Sequence, residues 1–285
     1  MAAGSSAYEH GAGTQWIENR APTGRFPRID LRELFAHREL VFFLALKDLK
    51  LRFKQTALGV AWAVVQPLIG VAVFSVFLRR VAHLPSEGVP YPLFAYAGYA
   101  LWSYLTSAVQ AASQSLIGNV ALVTKVYFPR LGAPLAAVLP GIVDLLASLV
   151  FLGAFMAYFG VAPGLRTATV PLWVLAGVLL AFGIGAWVAA LSVRYRDVRN
   201  ALPFVIQIWF FASPIVYPSS LIHSGWRYVY ALNPMVGVVD GFRWALVGTH
   251  PPGLEHLLSL GSGLLILAAG LVYFAASDRS FADVI

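Results

Sequence analysis

Six runs of this chain contain no Asp, Glu, Lys or Arg: residues 55–78, 88–124, 145–165, 167–193, 200–226 and 257–277. Each reaches the roughly 20 apolar residues that a helix needs to cross a hydrocarbon core of about 30 Å. No soluble fold hides six such runs. The expectation is therefore an all-α membrane protein with six transmembrane helices, over about residues 59–78, 93–118, 131–159, 171–193, 202–217 and 257–277.

Composition agrees. The chain is 59% hydrophobic and 12% charged, against about 25% charged in ordinary soluble domains. Cysteine is absent, which excludes disulfides and thiolate metal sites. A net charge of +7 would point to nucleic acid in a soluble protein. Here it follows from the enrichment of Lys and Arg in cytoplasmic loops, and no nucleic-acid partner is expected.

The positions of the charges set the orientation. With the N-terminus inside, fifteen Lys and Arg fall on the cytoplasmic side. Five, namely Arg79, Arg80, Arg166, Arg227 and Arg243, fall outside. That threefold excess predicts both termini in the cytoplasm. Residues 1–29 read as a flexible cytoplasmic segment with no cleaved signal peptide. Residues 30–54 read as an amphipathic interface helix, with Phe42, Leu46, Leu49 and Phe53 on one face and Lys47, Lys50 and Lys54 on another. It suits a membrane-surface anchor, and equally one wall of a cytoplasmic gate. Residues 55–285 form the six-span domain.

Several residues within the spans stand out. Gln66-Pro67 interrupts span 1, where proline favours a kink. Asp144 lies in span 3 without a charged sequence neighbour; an intramembrane carboxylate marks a functional site or a bond between helices. Tyr99, Trp102, Trp209 and Phe210 suit an interfacial aromatic belt, and also a path whose ring faces stack on sugars. Residues 217–249 are too short and too broken by Pro218, Asn233-Pro234 and Gly241 for two ordinary spans. They read as short re-entrant helices dipping into the outer leaflet, with Asp240 and Arg243 spaced to pair.

Four stretches, in order, resemble the permeases of type-2 ABC exporters for O-antigen, capsule and teichoic acid. The first is Leu51-Arg52-Phe53-Lys54-Gln55-Thr56-Ala57-Leu58-Gly59, leading to Trp62 and Gln66-Pro67. The second is Asn119-Val120-Ala121-Leu122-Val123-Thr124-Lys125-Val126-Tyr127-Phe128-Pro129-Arg130. The third is Arg194-Tyr195-Arg196-Asp197-Val198, and the fourth joins Leu232-Asn233-Pro234-Met235 to Gly241-Phe242-Arg243-Trp244-Ala245-Leu246. The resemblance covers about residues 31–280.

The resemblance implies a homodimer in the bacterial inner membrane, bound to two copies of an ABC ATPase. It implies a lipid-linked polysaccharide cargo that enters from the cytoplasmic side. Asn119, Lys125, Val126, Tyr127, Phe128, Pro129 and Arg130 would form the ATPase coupling loop. Arg194, Arg196, Asp197 and Arg199 would form a second cytoplasmic loop. Arg52 and Lys54 would meet the lipid diphosphate, and Tyr99, Trp102, Trp209 and Phe210 would line the glycan path. Apolar Tyr127 and Phe128 beside cations suit burial in a partner's groove.

No G-x-x-x-x-G-K-[ST] is present to cradle phosphates, and no His and carboxylate cluster has metal-ligand spacing. This chain is expected to bind no cofactor, with ATP and Mg held by the partner subunit. The ABC architecture also admits another amphiphile, such as a teichoic acid, lipid or drug. A membrane glycosyltransferase is the competing class. It needs a carboxylate base at the outer face, and Glu87 is the candidate.

Overall fold

The computed structural model describes residues 31–54, 61–76, 85–120 and 128–284. Among them the regular structure is entirely helical. The helices are α1 (Leu31–Ala36), α2 (Arg38–Phe53), α3 (Trp62–Phe74), α4 (Tyr91–Gln114), α5 (Gly132–Val138) and α6 (Pro140–Tyr158). They continue as α7 (Val170–Arg194), α8 (Asp197–Phe211), α9 (Arg227–Tyr230), α10 (Pro234–Val247) and α11 (Glu255–Val284).

Three helical stretches are long and apolar enough to cross a membrane: Gly132–Tyr158, Leu165–Arg194 and Glu255–Asp278. The first joins α5 to α6 through Leu139, whose backbone is itself helical. Helix α4 has 24 residues, about 36 Å at 1.5 Å per residue, but carries Ser, Tyr and Gln along its length. Its environment makes that composition tolerable. It is buried among α3, α6, α7 and α10, so protein rather than lipid surrounds its polar groups.

Helix α7 packs against α4 on one side and α11 on the other. Small residues permit this. A Cβ on Gly183 would stand 2.5 Å from the Cα of Leu267, and one on Gly270 would collide with the Gly183 carbonyl. The two backbones therefore touch, as small residues allow between membrane helices.

Three sequence expectations change. The interface helix is not continuous, because a turn at His37 separates α1 from α2. Nor is its apolar surface a single stripe. Val41, Leu44 and Ala45 are buried in the chain, whereas Phe35, Phe42 and Phe43 are exposed. Span 5 is displaced: α8 runs Asp197–Phe211 and stops before Ser213-Pro214. Asp197 fits its first turn because a carboxylate is favoured at a helix N-terminus.

The segment after α8 is ordered by short elements. Ser219–Leu221 and Ser224–Trp226 are 3-10 turns, and α9 follows. Helix α10 starts at a defined cap, where the Asn233 side chain accepts from the Met235 amide at 3.1 Å. Pro234 occupies its first position, and Gly248 ends it in the left-handed conformation at φ 81°. Cap, proline and terminal glycine are the expected punctuation of a helix. Apart from Asp240 and Trp244, its residues are buried, against α4, α7 and α11.

Candidate functional site

The end of the molecule that carries α2 gathers groups from four distant parts of the chain. The Lys47 ammonium on α2 donates to the Asn119 side-chain oxygen at 2.7 Å. Asn119 in turn donates to the Ser115 carbonyl at 2.8 Å. Arg130 donates to the backbone oxygen of Asp278 on α11, and its Nη1 lies 3.3 Å from the Asp278 carboxylate. The interface helix and the last helix thus each hold one flank of the loop expected to couple to an ATPase. Lys125, Val126 and Tyr127 lie outside the described residues.

Phe128 requires a correction. Its apolar ring beside Arg130 suggested docking into a partner, yet it is only 5% exposed. It packs in a cluster with Val41, Leu44, Leu116, Phe274 and Phe281. The ring anchors the loop to its own protein, so its hydrophobicity needs no partner to explain it. Pro129 beside it is half-buried.

Arg52, at the end of α2, lies 2.7 Å from Asp144 on α6. Asp144 therefore bonds a neighbouring helix, one of the two roles its sequence position allowed. Arg52 is not a bare cation awaiting an anion. Lys54, two residues on, is exposed and makes no ion pair among the described residues. The second inner loop is open: Arg194, Tyr195, Arg196 and Asp197 are all exposed. The Arg194 guanidinium lies 5.4 Å from the Tyr195 ring centroid, within cation–π range. Arg199 is half-buried, on the first turn of α8.

The four aromatic residues named from the sequence do come together. Trp102 meets Trp209 at 5.4 Å and Phe210 at 5.7 Å, and Tyr99 meets Phe210 at 6.0 Å, all edge to face. These are favourable ring geometries. Asn233 accepts from the Trp209 indole at 3.0 Å, so the cap of α10 also fixes this seam. Trp102 and Phe210 are buried here, whereas Tyr99 and Trp209 remain half-buried.

Sequence reasoning missed how Arg243 is used. It was counted as an outer cation with Asp240 in reach. In the structure it is 0% exposed. Its Nε donates to the Phe94 carbonyl at 3.1 Å, Nη1 to Pro214 at 2.5 Å, and Nη2 to Ile215. The guanidinium covers the Phe94 ring at 3.7 Å, and Asp240 stands 3.7 Å away. A side chain on Gly98 would fall 2.7 Å from the Ile215 carbonyl, which is why α4 has glycine there. The one cue in the sequence was the Asp240–Arg243 spacing; carbonyl partners leave no residue signature.

Glu87, the candidate enzymatic base, accepts from Ser220 at 3.0 Å and lies 3.4 Å from the His250 ring. It ties two outer connections together. It also borders an outer cavity of about 350 Å³ lined by Arg227, Tyr230, Asp240 and His256. Among the described residues, no group of three or more His, Asp or Glu is placed to hold a metal.

The described residues form a helical bundle with three stretches long and apolar enough to cross a membrane. The chain matches the ABC-2 type transporter family over residues 39–247 and belongs to that family. It is thus a multi-pass membrane protein and a transport permease. It is 27% identical over 260 residues to the O-antigen export system permease protein RfbA of Myxococcus xanthus, covering 89% of this chain and 98% of the relative. An O-antigen export system permease protein RfbA of Klebsiella pneumoniae is 24% identical, with 87% and 95% covered. The polysialic acid transport protein KpsM of Escherichia coli is 23% identical, with 72% and 80% covered. The family resemblance drawn from the four motifs is borne out.

Proposed function

We propose that this chain is the transmembrane subunit of an ATP-driven exporter. Its cargo is a lipid-diphosphate-linked polysaccharide, moved across the bacterial inner membrane from the cytoplasmic side. The observation that carries this reading is the near full-length likeness to O-antigen export permeases. The working unit is a homodimer of six-span chains with both termini in the cytoplasm. Residues 217–249 turn back within the outer leaflet. Two copies of an ABC ATPase supply ATP and Mg.

In this reading the loop from Asn119 to Arg130 receives the ATPase, together with the exposed cations Arg194 and Arg196. Arg52 and Lys54 meet the diphosphate at the inner face. The seam of Tyr99, Trp102, Trp209 and Phe210 lies beside the glycan, presenting Tyr99 and Trp209 while Trp102 and Phe210 support them. Aromatic faces bind sugars without demanding one pattern of polar groups, which suits a long and repetitive cargo.

The test is genetic and then biochemical. Cells lacking this chain are expected to lose the surface polysaccharide and to accumulate the lipid-linked glycan internally. Surface polysaccharide unchanged in the deletion strain would overturn the reading. The purified chain is expected to retain an ATP-binding subunit, with hydrolysis that depends on both.

A further inference from the structure

Asp144 is the only acidic residue between Glu87 and Asp197. It stands on α6, roughly 18 Å along the helical stretch from Gly132. Its carboxylate is 15% exposed and has one ion-pair partner among the described residues, Arg52 at 2.7 Å. That partner belongs to α2, which packs mainly on α5 and the cluster around Phe128 and more lightly on α6.

The two ends of the pair differ. Asp144 sits within a helix held by α4. Arg52 sits on the last turn of α2, with 40% of its side chain exposed. A guanidinium has five donors, and among the described residues the ion pair of Arg52 uses one nitrogen, Nη2. A second anion can therefore bind Arg52 before the carboxylate releases it. A diphosphate offers more charge and more acceptor oxygens than one carboxylate, and Arg binds both through the same planar fork.

We propose that Asp144 is an exchangeable counter-ion. It holds Arg52 while the inner doorway is empty and is displaced from Arg52 by the anionic head group of the cargo. The inference rests on the reading of Arg52 as a head-group ligand and adds the residue that regulates it. Displacement frees the end of α2 from α6, so arrival of an anion becomes movement of the interface helix. Asp144 then repels the bound diphosphate and recaptures Arg52 as the head group moves on. Asp144 is thus a positioning residue that sets a threshold for the anion and keeps its binding reversible.

The experiment uses the purified full-length chain in lipid nanodiscs, with farnesyl diphosphate as the probe and farnesol as its uncharged control. Asp144→Asn is expected to bind farnesyl diphosphate about tenfold more tightly than the natural chain, since a competing anion is gone. Arg52→Gln is expected to weaken binding, and Asp144→Asn added to Arg52→Gln should then gain far less than tenfold, since only the direct repulsion remains to be removed. The chain has no cysteine, so Lys50→Cys with Leu146→Cys gives a clean spin-label pair across α2 and α6. That distance should lengthen with farnesyl diphosphate and stay fixed with farnesol.

Equal, measurable affinities in Asp144→Asn and the natural chain would overturn the counter-ion role while leaving the head-group reading intact. No binding of farnesyl diphosphate by either chain would overturn the head-group reading itself, and this proposal with it. Should Asp144→Asn fail to fold, the spin-label distance decides. A distance unchanged when the probe is bound refutes the exchange.

Discussion

Arg243 and Arg52 are both arginines beside an aspartate, and the structure uses them in opposite ways. Arg243 is fully buried, with three carbonyls, an aromatic face and Asp240 around it. Arg52 is partly exposed and, among the described residues, is ion-paired with the carboxylate of Asp144. A charge taken out of water is stable only when every donor is matched, so Arg243 is committed to one geometry. A charge with free donors and nearby solvent can change partners. Arg243 is therefore fixed by its surroundings, whereas Arg52 is the arginine proposed to exchange its partner.

The largest effect that tests this contrast is on Arg243. Arg243→Ala leaves three buried carbonyls unmatched and Asp240 with only His256 beside it, and should cost about 4 kcal/mol or more. Thermal unfolding in detergent would show it, and normal stability would refute the fixed role. Phe128→Ala comes next, at about 3 kcal/mol for an emptied aromatic site. It should disturb the inner cluster without altering the outer half. If instead it folds normally and loses only the ATPase, the ring serves a partner after all.

Arg52→Gln should destabilise the protein less than Arg243→Ala does, because Arg52 itself is 40% exposed. Transport of polysaccharide to the surface should nevertheless fall sharply. Loss of folding in place of transport would make this arginine as structural as Arg243. The smallest stability effect is expected for Arg196→Gln on the open second loop, within about 0.5 kcal/mol. Its consequence should be confined to the ATP hydrolysis that the chain supports in a partner. Unaltered hydrolysis would remove this loop from the docking surface.

The same contrast explains what the sequence could and could not reveal. Uncharged runs forecast helices well, because length and apolarity are local properties. The stretches around α6, α7 and α11 are recovered as apolar spans. The start of α8 was misplaced because Asp197 and Arg199 read as loop residues, although both belong to its first turn. Phe128 misled for a different reason. An apolar residue between cations looks the same whether a partner or its own chain covers it. Its covers, Val41 and Phe281, are far away in sequence. The aromatic seam was legible as a set of residues, but not as rings turned edge to face upon one another. The partner of Asp144 was invisible because Arg52 lies 92 positions earlier and reaches it only after α2 has folded against the bundle.

The backbone contact between Gly183 and Gly270 carries one more consequence. With no side chains between α7 and α11 there, a Cβ at either Gly183 or Gly270 would run into the opposing backbone. They behave as a single stiff rod. The inner end of that rod holds Arg130 through Asp278. Its outer end holds α10 through Ser259, which accepts from the Gly237 amide at 3.0 Å. The two attachments are about 28 Å apart along the helix. The α7–α11 pair is thus the direct physical link between the loop at Arg130 and helix α10.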